Sequence, residues 1–192
     1  MTASSQQKII ISPIGEMDRD LLEQVSSRIV SIFGYGTETF SLLNSVDFAF
    51  DPGRNQYHST AILEELSAAA PSWAAKVLGI LREDLYIPIL TFVYGEAQMG
   101  GTACMISTFR LREGISLPES AALYQQRVIK EAVHELGHTF NLRHCKDPSC
   151  IMHYCRTVRD VDRKSRQLCR YCNVLLEDEM RVLDADQTVD NP

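Results

Sequence analysis

Apolar positions along this chain change their period several times, and each change marks an element. Lys8-Ile9-Ile10-Ile11-Ser12-Pro13 is a short β-branched run stopped by Pro13 and Gly15, the composition of a buried strand. Over residues 18–33 the spacing becomes helical: Leu22, Val25, Ile29 and Phe33 form one stripe, and Gly34 is a fitting terminator. A second strand is expected within residues 39–50, ending at Asp51-Pro52-Gly53. Ser59 or Thr60 can cap a helix through residues 63–70, which Pro71 interrupts before a further helix over residues 73–81. Residues 87–94 read as a strand, and Gly100-Gly101 turns the chain into another over residues 103–111.

Ser116 and Glu119 have capping-box spacing, a start for a long amphipathic helix over residues 119–140 with Val128, Ala132, Leu136 and Phe140 inward. After Asn141 the chain reads as loop to about residue 161. It is then helical again past Cys169 and Cys172, with Leu175, Leu176 and Met180 apolar, and its acidic end from Asp184 is expected to fray. Strands alternating with helices in the first half indicate the α/β (α+β) class, a mixed sheet with the long helix packed beneath it. No internal repeat is present.

Composition narrows the function. At 192 residues, 45% hydrophobic and 23% charged, the chain suits one compact domain spanning residues 1–192. A net charge of −6 argues against a nucleic-acid surface, and the basic residues between Arg156 and Arg170 read as a solvated helix face. No run approaches the roughly 18 apolar residues of a membrane span. The polar start and the short apolar run after it lack a secretory signal, which points to the cytoplasm and makes the six cysteines thiols or metal ligands. Gly100-Gly101 lies in neither a GxGxxG nor a Walker pattern, so a phosphate cradle is excluded.

Chemistry concentrates in His134-Glu135-Leu136-Gly137-His138, followed by Asn141, His144 and Cys145. Residues four apart share a helix face, so His134 and His138 can reach one zinc ion, while Glu135 projects beside them as general base toward a water. His144 is the natural third ligand. Were the helix to continue, it would lie on the wrong face and roughly 9 Å further along the axis. The chain must therefore turn sharply, and Asn141 stands where a left-handed residue is needed.

These residues resemble the metzincin peptidases, whose HExxHxxGxxH is followed by a methionine turn beneath the metal; Met152 is the residue for that turn. Cys145, directly after the third histidine, with Cys150 and Cys169-Arg170-Tyr171-Cys172, resembles the archaemetzincins, and Tyr94-Gly95-Glu96-Ala97 is more loosely similar. One departure is Asn141, where that pattern has Gly. The resemblance implies a metzincin-like fold divided near residue 141, with residues 142–192 forming a helical part below the metal. It further implies a zinc peptidase acting on peptides or proteins, two zinc ions per chain, and a monomer; no pro-segment that would hold such a peptidase latent is visible.

Under this resemblance His134, His138 and His144 hold a catalytic zinc, and Cys145, Cys150, Cys169 and Cys172 a closed structural zinc. Cys155 can replace any one of the four thiols, and Cys104 is a buried strand residue. Tyr154, two positions after Met152, is similar to the astacin tyrosine that donates to an oxyanion. Ala103, Cys104, Met105 and Ile106, within 103–107, are the candidate edge strand for an extended substrate. His58 and His153 read as structural or surface residues. Aminopeptidase and internal cleavage both stay open. Two alternatives differ in kind: a gluzincin-like site with Glu177 or Glu179 as third ligand, and a catalytically silent, zinc-stabilised peptide-binding protein.

Overall fold

The computed structural model describes residues 7–115 and 120–189. A five-stranded sheet organises the molecule. Its strand β1 (Lys8–Pro13) lies between β2 (Gly36–Thr39) and β5 (Ala74–Leu81), all parallel. Beyond β5 come β8 (Ala103–Ser107), parallel, and β7 (Gly95–Ala97), antiparallel at the edge, giving the order β2-β1-β5-β8-β7. Short strands β3 (Phe50–Asp51), β4 (Gln56–His58) and β6 (Leu85–Tyr86) form a second, smaller sheet.

Both faces of the main sheet are covered, and the alternation of side chains shows it. Ile9, Ile11, Leu78, Ile80, Cys104 and Ile106 face α1 (Arg19–Phe33) and α3 (Ala121–Thr139). Ile10, Val77, Leu81, Ala103 and Met105 face the other way, toward Ile62, Leu63 and Leu66 of α2 (Ser59–Ala68). Helix α1 begins at Asp18, whose side chain accepts from Asp20 N, and ends at Gly34 in the left-handed region, φ 72°. The inward stripe of α3 is as expected, with Val128, Ala132, Leu136 and Phe140 all buried. Phe140 stacks on Phe33 at 5.0 Å between centroids, with the Lys76 ammonium 5.0 Å above its ring.

The structure departs from the sequence reading in several places. Residues 74–81 are not a helix but the central strand β5. A parallel strand covered on both faces is apolar throughout, so periodicity does not separate it from a buried helix. Residues 87–94 are not a strand: Pro88 lacks a donor, Ile89 is 87% exposed, and only Val93 bridges to Leu85. The strand expected within residues 39–50 is reduced to its two ends: β2 stops at Thr39, a 3-10 turn spans Asp47–Ala49, and β3 starts only at Phe50. Neither Ser59 nor Thr60 caps α2, because both hydroxyls bond Glu96 instead. Strand β8 stops at Ser107 and is followed by a 3-10 turn, Arg110–Arg112. The Ser116–Glu119 capping box lies outside the described residues.

The second half adds α4 (Val158–Arg163), closed at its start by a Thr157–Asp160 capping box, and α5 (Arg170–Val189). The helix thus continues past Asp184, where fraying was expected. The basic stretch before it is not uniformly solvated either: Arg163 is exposed, while the Lys164 side chain is 0% exposed. Among the described residues no helix is long and apolar enough to cross a membrane.

Phe140→Ala would leave a cavity where α3, α1 and the sheet meet. It should lower unfolding free energy by about 3–5 kcal/mol in urea titration of chelator-treated protein.

Candidate metal centre

Helix α3 brings His134 and His138 together one turn apart, with Nε2 atoms 3.2 Å from each other. Their Nδ1 atoms lie 2.9 Å from the Ile151 carbonyl and 2.6 Å from the Leu142 carbonyl. A carbonyl only accepts, so each Nδ1 carries the proton and donates, leaving a lone pair on each Nε2. Two lone pairs facing each other at that distance repel unless a cation lies between them. Zinc at 2.0–2.1 Å from two tetrahedral nitrogen ligands sets them about 3.3 Å apart, so the donor set fits the ion.

His144 completes the trio. The ligand atoms of His134, His138 and His144 all lie within 4.8 Å of one another. What brings it there is the end of α3. Asn141 adopts φ 59°. Its N–H bonds the His138 carbonyl at 3.0 Å, and the Leu142 N–H bonds the Gly137 carbonyl at 3.0 Å. That pairing is a Schellman turn, with Asn in the left-handed position that Gly usually takes. Lys76 on β5 seals the same end, donating to the Thr139 and Gly101 carbonyls at 2.8 and 2.7 Å. The Gly100-Gly101 turn rests there too: Gly100 N–H bonds the His138 carbonyl at 2.9 Å, and a Cβ on Gly100 would sit 2.8 Å from Asn141 Oδ1.

Met152 is fully buried under the histidines, its Sδ 2.5 Å from where a Cβ on Gly137 would be. A side chain at this glycine would have to push the methionine thioether out of its packed position. Burial, and then the charge of Lys164, push the His134 and His144 imidazoles below their ordinary range; burial brings His138 down to about 4. All three stay neutral near pH 7, the form that binds metal.

Glu135 is buried, and desolvation followed by the charge of Glu131 pushes its carboxyl well above the usual range, with Lys164 opposing. Glu131 and Lys164 form an ion pair at 2.7 Å with side chains 4% and 0% exposed. Burial alone would lower the Lys164 ammonium, but Glu131 and then Cys155 more than offset it. Above Glu135 runs β7. A Cβ on Gly95 would sit 2.7 Å from Glu135 Cγ and 2.5 Å from the Met105 carbonyl, so only glycine lets the strand pass so close.

The three histidines and Glu135 open into a cleft of about 520 Å³. Leu90 to Val93 form its rim, and Tyr94, Gly95, Glu131, Tyr154, Cys155 and Arg156 also line it. Arg54 Nη2 ties the rim down through the Leu90 and Thr91 carbonyls at 2.9 and 3.1 Å. Tyr154 is not a buried tyrosine: it is 46% exposed, its ring 5.0 Å from that of His144.

Three sequence expectations are corrected here. Ala103, Cys104, Met105 and Ile106 are not an edge, since β8 is paired with β5 on one side and β7 on the other and is buried throughout. The edge beside the cleft is β7. Cys155 does not stand in for a cysteine of the cluster: its thiol donates to the His153 carbonyl at 3.5 Å and lines the cleft. Glu179 accepts from Asn141 Nδ2 at 3.2 Å and Glu177 is solvent-exposed beside Arg181, so neither belongs to the histidine trio. Cys104 is buried in β8 as expected, and His153 is a structural residue, Nδ1 2.9 Å from the Cys145 carbonyl. His58 packs its ring against Tyr86.

The second cluster forms directly behind the first. The Sγ atoms of Cys145, Cys150, Cys169 and Cys172 lie within 4.8 Å of one another, and those of Cys145 and Cys169 are 3.7 Å apart. Zinc at about 2.3 Å from tetrahedral thiolates spaces them by about 3.8 Å, so this donor set fits as well. Lys164 and Lys76 were not singled out in the sequence, and Tyr94 and Gly95 only as loosely family-like, without a place in the site. Glu131 carried one usable signal, its position one helical turn before Glu135 on the same face.

Three neutral imidazoles with a buried carboxylate alongside, in an open cleft, define a metal-dependent hydrolase of the metzincin type. Comparison narrows this further. The model of peptidase family M54 matches residues 38–178. An archaemetzincin of Pyrococcus furiosus is 37% identical over 179 residues, covering 90% of this chain and 93% of that one. The crystal structure of the archaemetzincin from Methanopyrus kandleri superposes with a TM-score of 0.83 at 31% identity, over 94% of this chain and 99% of its own. That from Archaeoglobus fulgidus, solved with malonate, gives 0.72 at 36% identity, over 88% and 99%. The chain belongs to the archaemetzincins of peptidase family M54 and is a zinc metallopeptidase.

Gly95→Ala should push β7 or Glu135 out of place while leaving the histidines alone. Peptide cleavage is expected to fall by about 100-fold with zinc content unchanged, measured by turnover and elemental analysis on the same sample.

Proposed function

We propose that the chain cleaves peptide bonds with Glu135 as general base and then general acid, and that it holds two zinc ions, one catalytic and one structural. The observation that carries the reading is the pair of Nε2 lone pairs of His134 and His138 facing each other at 3.2 Å, with a buried carboxylate beside them. Bound there, zinc would lower the pKa of a water toward about 7 and polarise the substrate carbonyl. Everything else falls to the chain's own groups.

Glu135 takes the proton from the attacking water and returns it to the leaving amine. Its buried, apolar setting supports that role, because a carboxyl pushed upward holds a proton more readily at neutral pH. Tyr154, exposed to the cleft beside His144, is placed to donate to the oxygen that becomes negative as water adds. Ser107 N–H bonds the Tyr94 carbonyl and Gln98 N–H bonds the Ala103 carbonyl, so the antiparallel alternation turns the backbone of Gly95 and Ala97 away from β8. No other strand pairs with β7 on that side among the described residues, so an extended peptide can add there, over Glu135.

The cysteine cluster serves as structure. Cys145 follows His144 directly, and Cys169 and Cys172 sit at the start of α5, so one ion would tie the ligand loop to the last helix. Four thiolates suit a reducing compartment such as the cytoplasm.

Wild type should cleave a mixed peptide library, and Glu135→Gln should not, while elemental analysis finds two zincs in both. Equal cleavage by the two proteins would remove Glu135 as base; no cleavage by the zinc-loaded wild type would favour a silent peptide-binding role. Tyr154→Phe is expected to lower kcat by about 100-fold with little change in KM. Cys172→Ser should retain a single zinc and unfold at lower temperature in a thermal melt.

A further inference from the structure

The inner wall of the cleft is polar although its rim is apolar. Leu90, Phe92 and Val93 line the rim, whereas Tyr94, Glu131 and Cys155 line the depth. Tyr94 is only 7% exposed, and its hydroxyl has no hydrogen-bond partner among the described residues. Its ring is held from one side by Phe92, edge-on at 5.3 Å, and its carbonyl is fixed by Ser107 N–H at 2.7 Å. The hydroxyl is thus set in place without a protein acceptor. Burial, and then the neighbouring Glu131 charge, push the phenol above its ordinary range, so it stays protonated and offers a donor.

Glu131 supplies the complementary half. One carboxylate oxygen, Oε1, is engaged by Lys164 at 2.7 Å, and the ion pair leaves the wall without net charge. A carboxylate carries lone pairs beyond those that a single ammonium uses. The wall therefore offers one donor and one acceptor that line the same cleft, with the Glu131 charge acting on the Tyr94 phenol and offset by Lys164. Lys164, buried behind Glu131, already neutralises that carboxylate, so a cationic side chain finds no free charge there, and an anionic one would meet Glu131. An aliphatic side chain would leave the Tyr94 hydroxyl buried and unpaired.

We propose that Tyr94 is a specificity-determining residue, and that this wall selects a carboxamide side chain, glutamine or asparagine, next to the scissile bond. The amide oxygen accepts from the Tyr94 hydroxyl and the amide nitrogen donates to Glu131. The inference rests on the reading of the cleft as the peptide site, but not on turnover. A site built to hydrogen-bond a substrate group discriminates strongly against the analogue that lacks it, and methionine is the unbranched apolar analogue of glutamine.

The test is calorimetric titration of the zinc-loaded protein with two short peptide hydroxamates that differ only in carrying glutamine or methionine beside the hydroxamate. Wild type should bind the glutamine compound about tenfold more tightly. Tyr94→Phe, which removes one oxygen and keeps the ring, should erase that margin and leave the methionine compound's affinity unchanged. Equal affinities in wild type, or a margin that survives Tyr94→Phe, would overturn the proposal. Library cleavage with Glu135 dependence but no carboxamide preference would do so too, while leaving the peptidase reading intact. Selective hydroxamate binding with no cleavage would do the reverse.

Discussion

The metal site depends on how α3 ends. Two of the histidines come from the helix and the third from beyond it, so the chain must reverse within a few residues of His138. The Schellman turn at Asn141 accomplishes this, and three other parts of the molecule converge to hold it: the Lys76 ammonium on the Thr139 carbonyl, the Gly100 N–H on the His138 carbonyl, and Glu179 on the Asn141 side chain. Asn tolerates the left-handed conformation less well than Gly, so these outside contacts offset a local cost. Asn thus stands where the family's pattern has glycine, and His144 still lies beside His134 and His138.

That turn also orders what lies below and behind it. The Leu142 carbonyl that fixes the His138 ring belongs to the turn itself, and Ile151, which fixes His134, comes from the loop closed by the cysteines. The ring orientations of both helical histidines therefore depend on segments after residue 141. Met152 fills the space left by Gly137, so the helix and the loop meet without a gap. The Cys145–Cys172 cluster and the Glu131–Lys164 ion pair tie the same loop to α5 and α3. A buried ion pair contributes little net stability by itself, but losing one partner would strand a charge next to Glu135.

Much of the chemistry was legible in the chain because it is local. The spacing of His134 and His138 defines a shared helix face, Asn141 marks the reversal, and the cysteine pairs have metal-ligand spacing. Helix α1 was equally readable, since it keeps one wet face and one dry face, and α3 was read from its apolar stripe although residues 127–139 are buried all round. The errors have a common cause as well. Strand β5 is dry on both faces and lost the alternation that identifies a strand. Within residues 87–94, Leu90, Phe92 and Val93 line a cleft rather than pair as a strand of a sheet.

By itself the sequence singled out the two clusters of candidate ligands, the helix that carries two of the histidines, and the need for a left-handed turn. These follow from periods and dihedral preferences acting over a few residues. Only the tertiary structure decided that β8 is interior and β7 the edge, that Lys164 is buried against Glu131, that Cys155 faces the cleft, and that Gly95 must lack a side chain above Glu135. Each is a contact between residues far apart in the chain. Strand order and the identity of a buried neighbour are set by how whole elements pack, and no local period records them.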